Sequence, residues 1–109
     1  MNINPIIERI FANYNVPISY MKYTGKSNSY LTYYTWKELP DDFSDDDNDI
    51  EIAYGTIDIF SKGNFKEIIT DVKRILKDNG FLVTDVGSEM YEEDTQFYHV
   101  PVNFCKEGV

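Results

Sequence analysis

The sequence predicts an α+β domain, a mostly antiparallel sheet of about five strands with two helices packed on one face. From Ile50 to Phe104 the chain reads as strand, capped amphipathic helix, strand and strand, with only short punctuation between them. Ahead of it, Ile6, Ile7, Ile10, Phe11 and Tyr14 recur at helical spacing and are followed by two runs rich in Tyr, Thr and Trp. At 109 residues, with 42% hydrophobic and 16% aromatic side chains, the chain has apolar material for one core and is too short for two, so residues 1–109 are read as a single domain.

The first helix is expected to start at Asn4, which can cap free amide groups, with Pro5 tolerated at the first helical position, and to end near residues 13–15. Residues 16–23 read as a strand with Pro17 at its start. Residues 24–28 supply a turn and residues 29–39 a returning strand, which together predict a hairpin. In the returning strand Tyr30, Thr32, Tyr34 and Trp36 share one face, while Leu31, Tyr33 and Thr35 share the other. Rings on both faces are compatible with ordinary cross-strand pairing, and also with a surface buried only on association, where Tyr and Trp are enriched.

Pro40 opens the one break in composition, an acidic loop over 40–49 in which Asp41, Asp42, Asp45, Asp46, Asp47 and Asp49 surround Phe43. A calcium loop can be tried from Asp45, but its sixth position is Ile50 where glycine is required and its twelfth is Thr56 where a bidentate Glu belongs. Residues 50–60 form a strand whose apolar alternation changes phase between Tyr54 and Ile57. A bulge at Gly55 is the expected cause, leaving Asp58 facing outward.

Asn64 and Glu67 resemble a capping box for the second helix, whose stripe is Phe65, Ile68, Ile69, Val72, Ile75 and Leu76. Asn79-Gly80 ends it, with Gly80 as the left-handed residue. Residues 81–86 are a strand, and 89–94 a polar connection or widened hairpin. From Gln96, Tyr98, Val100, Val102 and Phe104 alternate against Phe97, His99, Pro101 and Asn103. Pro101 places this strand at an edge, or with its missing donor pointing away from a neighbour.

The chemical inventory argues against an enzyme. The lone His99 has no serine or cysteine partner identifiable by spacing and excludes the usual two- and three-histidine metal sites. Gly63-Asn64-Phe65 lacks the pattern of a phosphate cradle. Cys105 has no metal-ligand neighbour and only Lys106 as a nearby cation, so it fits a reducing compartment better than a nucleophile. No cofactor and no metal are expected. With 19 acidic against 10 basic residues, the formal net charge of −9 opposes sequence-specific nucleic-acid binding and suits solubility, a basic partner or DNA mimicry. No apolar run is long enough to suggest a membrane partner.

With those residues placed, the chain resembles the tail-completion, or tail-terminator, proteins of long-tailed phages and prophages of Gram-positive bacteria. The segments that carry the resemblance are Val16-Pro17-Ile18-Ser19-Tyr20, Tyr30-Leu31-Thr32-Tyr33-Tyr34, Ile57-Asp58-Ile59-Phe60-Ser61-Lys62, the helix over 65–76, and Tyr91-Glu92-Glu93-Asp94-Thr95-Gln96-Phe97-Tyr98-His99. The resemblance implies a small subunit that forms a ring, expected to be a hexamer, at the head-proximal end of the tail tube. The ring would stop tube growth and meet the head connector or head-closure protein, placing the chain in the virion tail and, during assembly, in the host cytoplasm. Lateral contacts in a ring are heterologous and close at a set rotation. Tyr30, Tyr34, Trp36, His99 and Pro101 are the candidate contact residues. Asp41, Asp42, Asp45, Asp46, Asp47 and Asp49 are the candidate lumen or partner loop, where negative charge lets DNA slide past. The rival expectations are a head-closure or neck adaptor of the same virion and an acidic DNA-mimic inhibitor.

Overall fold

The computed structural model describes residues 2–40 and 51–108. Along the chain run α1 (Asn4–Ile10), β1 (Ile18–Tyr20), β2 (Ser29–Pro40), β3 (Glu51–Ser61), α2 (Phe65–Asp78), β4 (Leu82–Val86), β5 (Met90–Glu92) and β6 (Phe97–Glu107). They form an α+β fold with one mixed, mostly antiparallel sheet in the order β1-β2-β3-β6-β4, with β5 also paired to β6. The candidate acidic loop residues, Asp41, Asp42, Asp45, Asp46, Asp47 and Asp49, lie outside the described residues.

Burial of one sheet face sets the arrangement. The ladders align Leu31 with Ile59 and Val100, and Tyr33 with Ile57 and Val102, so the apolar alternation of three strands falls on the same side. Against that side pack Ile3, Ile7 and Phe11 from the α1 region and Phe65, Ile68, Val72 and Leu76 from α2. Each such side chain, fully buried, contributes roughly 1.5–3 kcal/mol, with larger rings toward the upper end. Two tyrosines tie α1 in place: Tyr14 Oη donates to Asp71 of α2 at 2.8 Å, and Tyr33 Oη donates to Glu8 at 2.7 Å. Both phenols are pushed above their ordinary value, chiefly by burial and then by the hydrogen bond to the carboxylate.

Five local expectations are corrected. The first helix ends at Ile10, short of the expected residues 13–15. Residues 16–39 do not form a hairpin: β1 has only three residues and pairs parallel to β2, Ile18 with Leu31 through Tyr20 with Tyr33. The chain leaves β1 at Met21, which adopts a left-handed conformation with φ 61°. The bulge lies in β2, between Thr35 and Lys37, while β3 keeps an unbroken register with β6 from Ile52 to Ser61. The phase change in β3 therefore reflects two apolar sets on opposite faces, with Ile52 and Tyr54 away from the helices. Gly55 sits on the helix side, where an added Cβ would lie 2.6 Å from both the Phe104 ring and the Tyr34 carbonyl oxygen.

Capping also differs. Asn4 is already helical, the N-cap position falls to Ile3, which has no side-chain cap, and the Asn4 amide donates to Asn2 Oδ1 at 3.0 Å. Asn64 occupies the N-cap of α2 without a side-chain cap and instead accepts from Ser61 Oγ at 3.2 Å. Gly80 has φ 83°, as its place after Asn79 requires.

Pro101 lies in an interior strand, between β3 and the β4/β5 pair, so the edge alternative fails. Its carbonyl accepts from Gly87 at 2.8 Å, and a residue's carbonyl and amide point to the same side of a strand. The missing donor therefore faces the interval between β4, which ends opposite Val102, and β5, which begins opposite His99. No ladder bond is lost there.

Gly55→Ala is expected to destabilise the fold by about 1–3 kcal/mol, because a ring and a main-chain oxygen must both move. A urea midpoint equal to wild type would contradict this packing. Unfolded tyrosines ionise near pH 10, whereas Tyr14 and Tyr33 stay neutral in the fold. The folded state then binds more protons, and stability falls as pH rises above about 10. The double variant Tyr14→Phe/Tyr33→Phe should show a shallower alkaline fall in urea midpoint than wild type.

Candidate functional site

The sheet has a second face on which no described helix packs, and its residues are set by the same registers that build the core. One row holds Tyr30, Phe60, His99 and Met90 from four adjacent strands; the next holds Thr32, Asp58 and Pro101. A third holds Tyr34, Thr56, Asn103 and Asp85, and a fourth Tyr54, Cys105 and Leu82, beside Trp36 at the β2 bulge. The five candidate contact residues, Tyr30, Tyr34, Trp36, His99 and Pro101, thus share this face. Strand alternation places them there because the strand pairs are in register.

At one end, rings stack across the strands. Tyr23 lies 4.4 Å from Tyr30, Tyr30 lies 4.7 Å from Phe60, and Phe60 lies 4.3 Å from His99, all close to parallel. Phe97 meets Tyr30 edge-on at 5.4 Å, and Lys62 Nζ lies 5.2 Å from the Phe97 ring centre. His99 Nε2 is 2.8 Å from Asp58 Oδ1, so the lone histidine is held by a carboxylate and a phenyl ring, not by a nucleophile. Burial, then the charge of Glu92, pushes the Tyr30 phenol upward.

At the other end, Trp36 lies 5.6 Å from Tyr54 and remains 50% exposed. Between the two ring clusters runs a chain of hydrogen bonds. Trp36 Nε1 donates to Thr56 Oγ1 at 3.0 Å, Thr56 Oγ1 donates to Asn103 Oδ1 at 2.7 Å, and Asn103 Nδ2 donates to Asp85 Oδ1 at 2.6 Å. Thr56 is buried although it lies on the uncovered side, because the large rings shield it. Sequence reading missed Thr56, Asn103 and Asp85 as a unit. Each is an ordinary polar strand residue until the register sets them side by side.

Chemical capacity on this face is narrow. Cys105 borders a hollow of about 200 Å³ lined by Ile52, Gly80, Leu82 and Glu107. Its thiol is pushed up by burial and then by Glu107, which lowers its nucleophilicity at neutral pH. Among the described residues no three His, Cys, Asp or Glu side chains are grouped to hold a metal. The geometry offers ring surfaces and partnered polar atoms, the make-up of a contact surface.

Comparison with known protein families and with curated proteins gives no match. Nor is any helix among the described residues long and apolar enough to cross a membrane.

Thr56→Val removes the middle of the hydrogen-bond chain and leaves Asn103 Oδ1 and the Trp36 indole without their partner. A loss of about 1–3 kcal/mol is expected, with a changed emission maximum of the single tryptophan. Wild-type stability and emission would mean that the chain of bonds does not persist in solution.

Proposed function

We propose that this chain is a tail-completion (terminator) protein of a phage or prophage. In this proposal it forms a ring, expected to be hexameric, on the head-proximal end of the tail tube, ends tube growth and offers the head-joining surface. The observation that carries the proposal is one-sided burial. Helices cover one face of the sheet, while the other keeps stacked rings and a half-exposed indole in a chain of net charge −9. A subunit that finishes its core by meeting copies and neighbours needs such a face, and large aromatic side chains supply contact area at low entropic cost. The order of segments that resembles the terminator family supports the particular assembly. The proposed partners are the chain itself, the tail tube protein and the head connector or head-closure protein.

The test is electron microscopy of tails assembled with and without the protein. Tubes of uncontrolled length in its absence, restored to one length by adding it, are the expected result. Tubes of normal length without it, or attachment to DNA-filled heads alone, overturn the proposal. Trp36→Ala should reduce oligomer mass in light scattering and leave the monomer folded, with a lowered thermal midpoint because the bond to Thr56 and the packing on Tyr54 are lost.

A further inference from the structure

Among the described residues, the large apolar side chains most exposed to solvent are Tyr20, Met21, Trp36, Leu82, Val86, Met90 and Tyr91. None belongs to either central strand. Tyr20 and Met21 mark the end of β1, while Trp36 lies over the uncovered face on the part of β2 that β1 does not reach. The other four lie on β4 and β5, the strands at the opposite side of the sheet. The two edges are separated by the width of the intervening strands, about 19 Å at ~4.8 Å per strand spacing.

Charge divides the same way. Between Glu8 and Glu38 the sequence holds Arg9, Lys22, Lys26 and Lys37 and no carboxylate, and Lys22 and Lys26 lie in the connection from β1 to β2. From Asn79 to Cys105 it holds Asp58's partner His99 but no Lys or Arg, while Asp85, Glu89, Glu92, Glu93 and Asp94 gather on and beside β4 and β5. Near the acidic edge Lys62 and Lys106 are each held over a ring, at 5.2 Å from Phe97 and 5.7 Å from Phe81. The acidic edge therefore carries carboxylates beside exposed apolar groups, and the basic edge carries exposed Lys22 and Lys26 beside Tyr20 and Met21.

We infer that the β1–β2 edge of one copy docks on the β4–β5 edge of a second copy, basic against acidic, with the exposed apolar side chains of both edges meeting at the contact. Opposite edges cannot meet within one chain, so the contact is heterologous and propagates from copy to copy. Charge complementarity selects the second copy as occupant: without it, chains of net charge −9 repel one another. The inference rests on the reading that the protein self-assembles and names the surfaces that do it. It adds a lateral contact at the edges, separate from whatever contact the uncovered face makes.

The experiment uses the full chain and two charge-reversed variants, Lys22→Glu/Lys26→Glu and Glu92→Lys/Glu93→Lys, all exposed positions. Each protein is analysed alone and in a 1:1 mixture by sedimentation velocity at about 0.05 and 0.5 M salt, with thermal midpoints as the control for folding. The expected result is a wild-type oligomer weakened by salt, each variant alone dissociating at least about tenfold more readily, and assembly regained on mixing. Wild-type assembly retained in both variants overturns the edge contact while leaving self-assembly intact. Loss in one variant only, with no recovery on mixing, also overturns it, since that pattern belongs to a contact between identical edges. A wild-type protein monomeric at every concentration and salt removes the self-assembly reading itself.

Discussion

The antiparallel ladder between β3 and β6 is the constraint on which the rest of the molecule depends. It runs without a shift from Ile52 opposite Glu107 to Ser61 opposite Tyr98, so it fixes both faces of the sheet at once. On one side it lines up Ile57 with Val102 and Ile59 with Val100, and the helices follow because that apolar surface must leave water. On the other it puts Asp58 and His99 in adjoining rows and Thr56 beside Asn103. A slip of one residue would exchange the two sets and bury two carboxylate-bearing rows, so the same pairing enforces fold and surface together.

Much of this was legible in the sequence because periodicity reports burial directly. The stripe of α2, the alternation of β6 and the left-handed Gly80 follow from spacing and residue type. What escaped was decided by partners distant in sequence. Nothing local says that residues 18–20 lie parallel to β2 instead of forming a hairpin, because the same alternation and turn residues fit either direction. The phase change in β3 looked like a bulge because an apolar side chain on the second face of the sheet breaks the alternation just as an extra residue would. The bulge lies across the ladder, in β2, and Gly55 is small for another reason, the close approach of Phe104 and the Tyr34 carbonyl. The five candidate contact residues could be assigned to a face from alternation, but the bonds joining Trp36 to Asp85 through Thr56 and Asn103 needed the register.

The uncovered face and the two edges differ in how finished they are. On the face, rings stack on rings and the polar atoms of Thr56, Asn103, Asp58 and His99 have partners, so water is already partly displaced. At the edges, Leu82 and Met21 are each 63% exposed and meet no comparable cluster. A prearranged face loses little entropy when something flat is laid on it, whereas exposed edge residues gain more from being covered. Two kinds of neighbour, one against the face and one against each edge, are thus compatible with a single subunit.

The interval at Pro101 divides the outer side of β6 into two separate attachments. Because proline offers no amide there, β4 and β5 are zipped to β6 independently, β5 through Met90, Tyr91 and Glu92 alone. The short arm formed by residues 90–96 is therefore a separate attachment to β6, set off from β4 at Gly87, and it reaches the helices through Tyr91, which lies 5.0 Å from Tyr98, itself 4.7 Å from Phe65 of α2. The protein carries a built-in seam, and whatever seats against that arm meets a strand held to the sheet by three residue pairs.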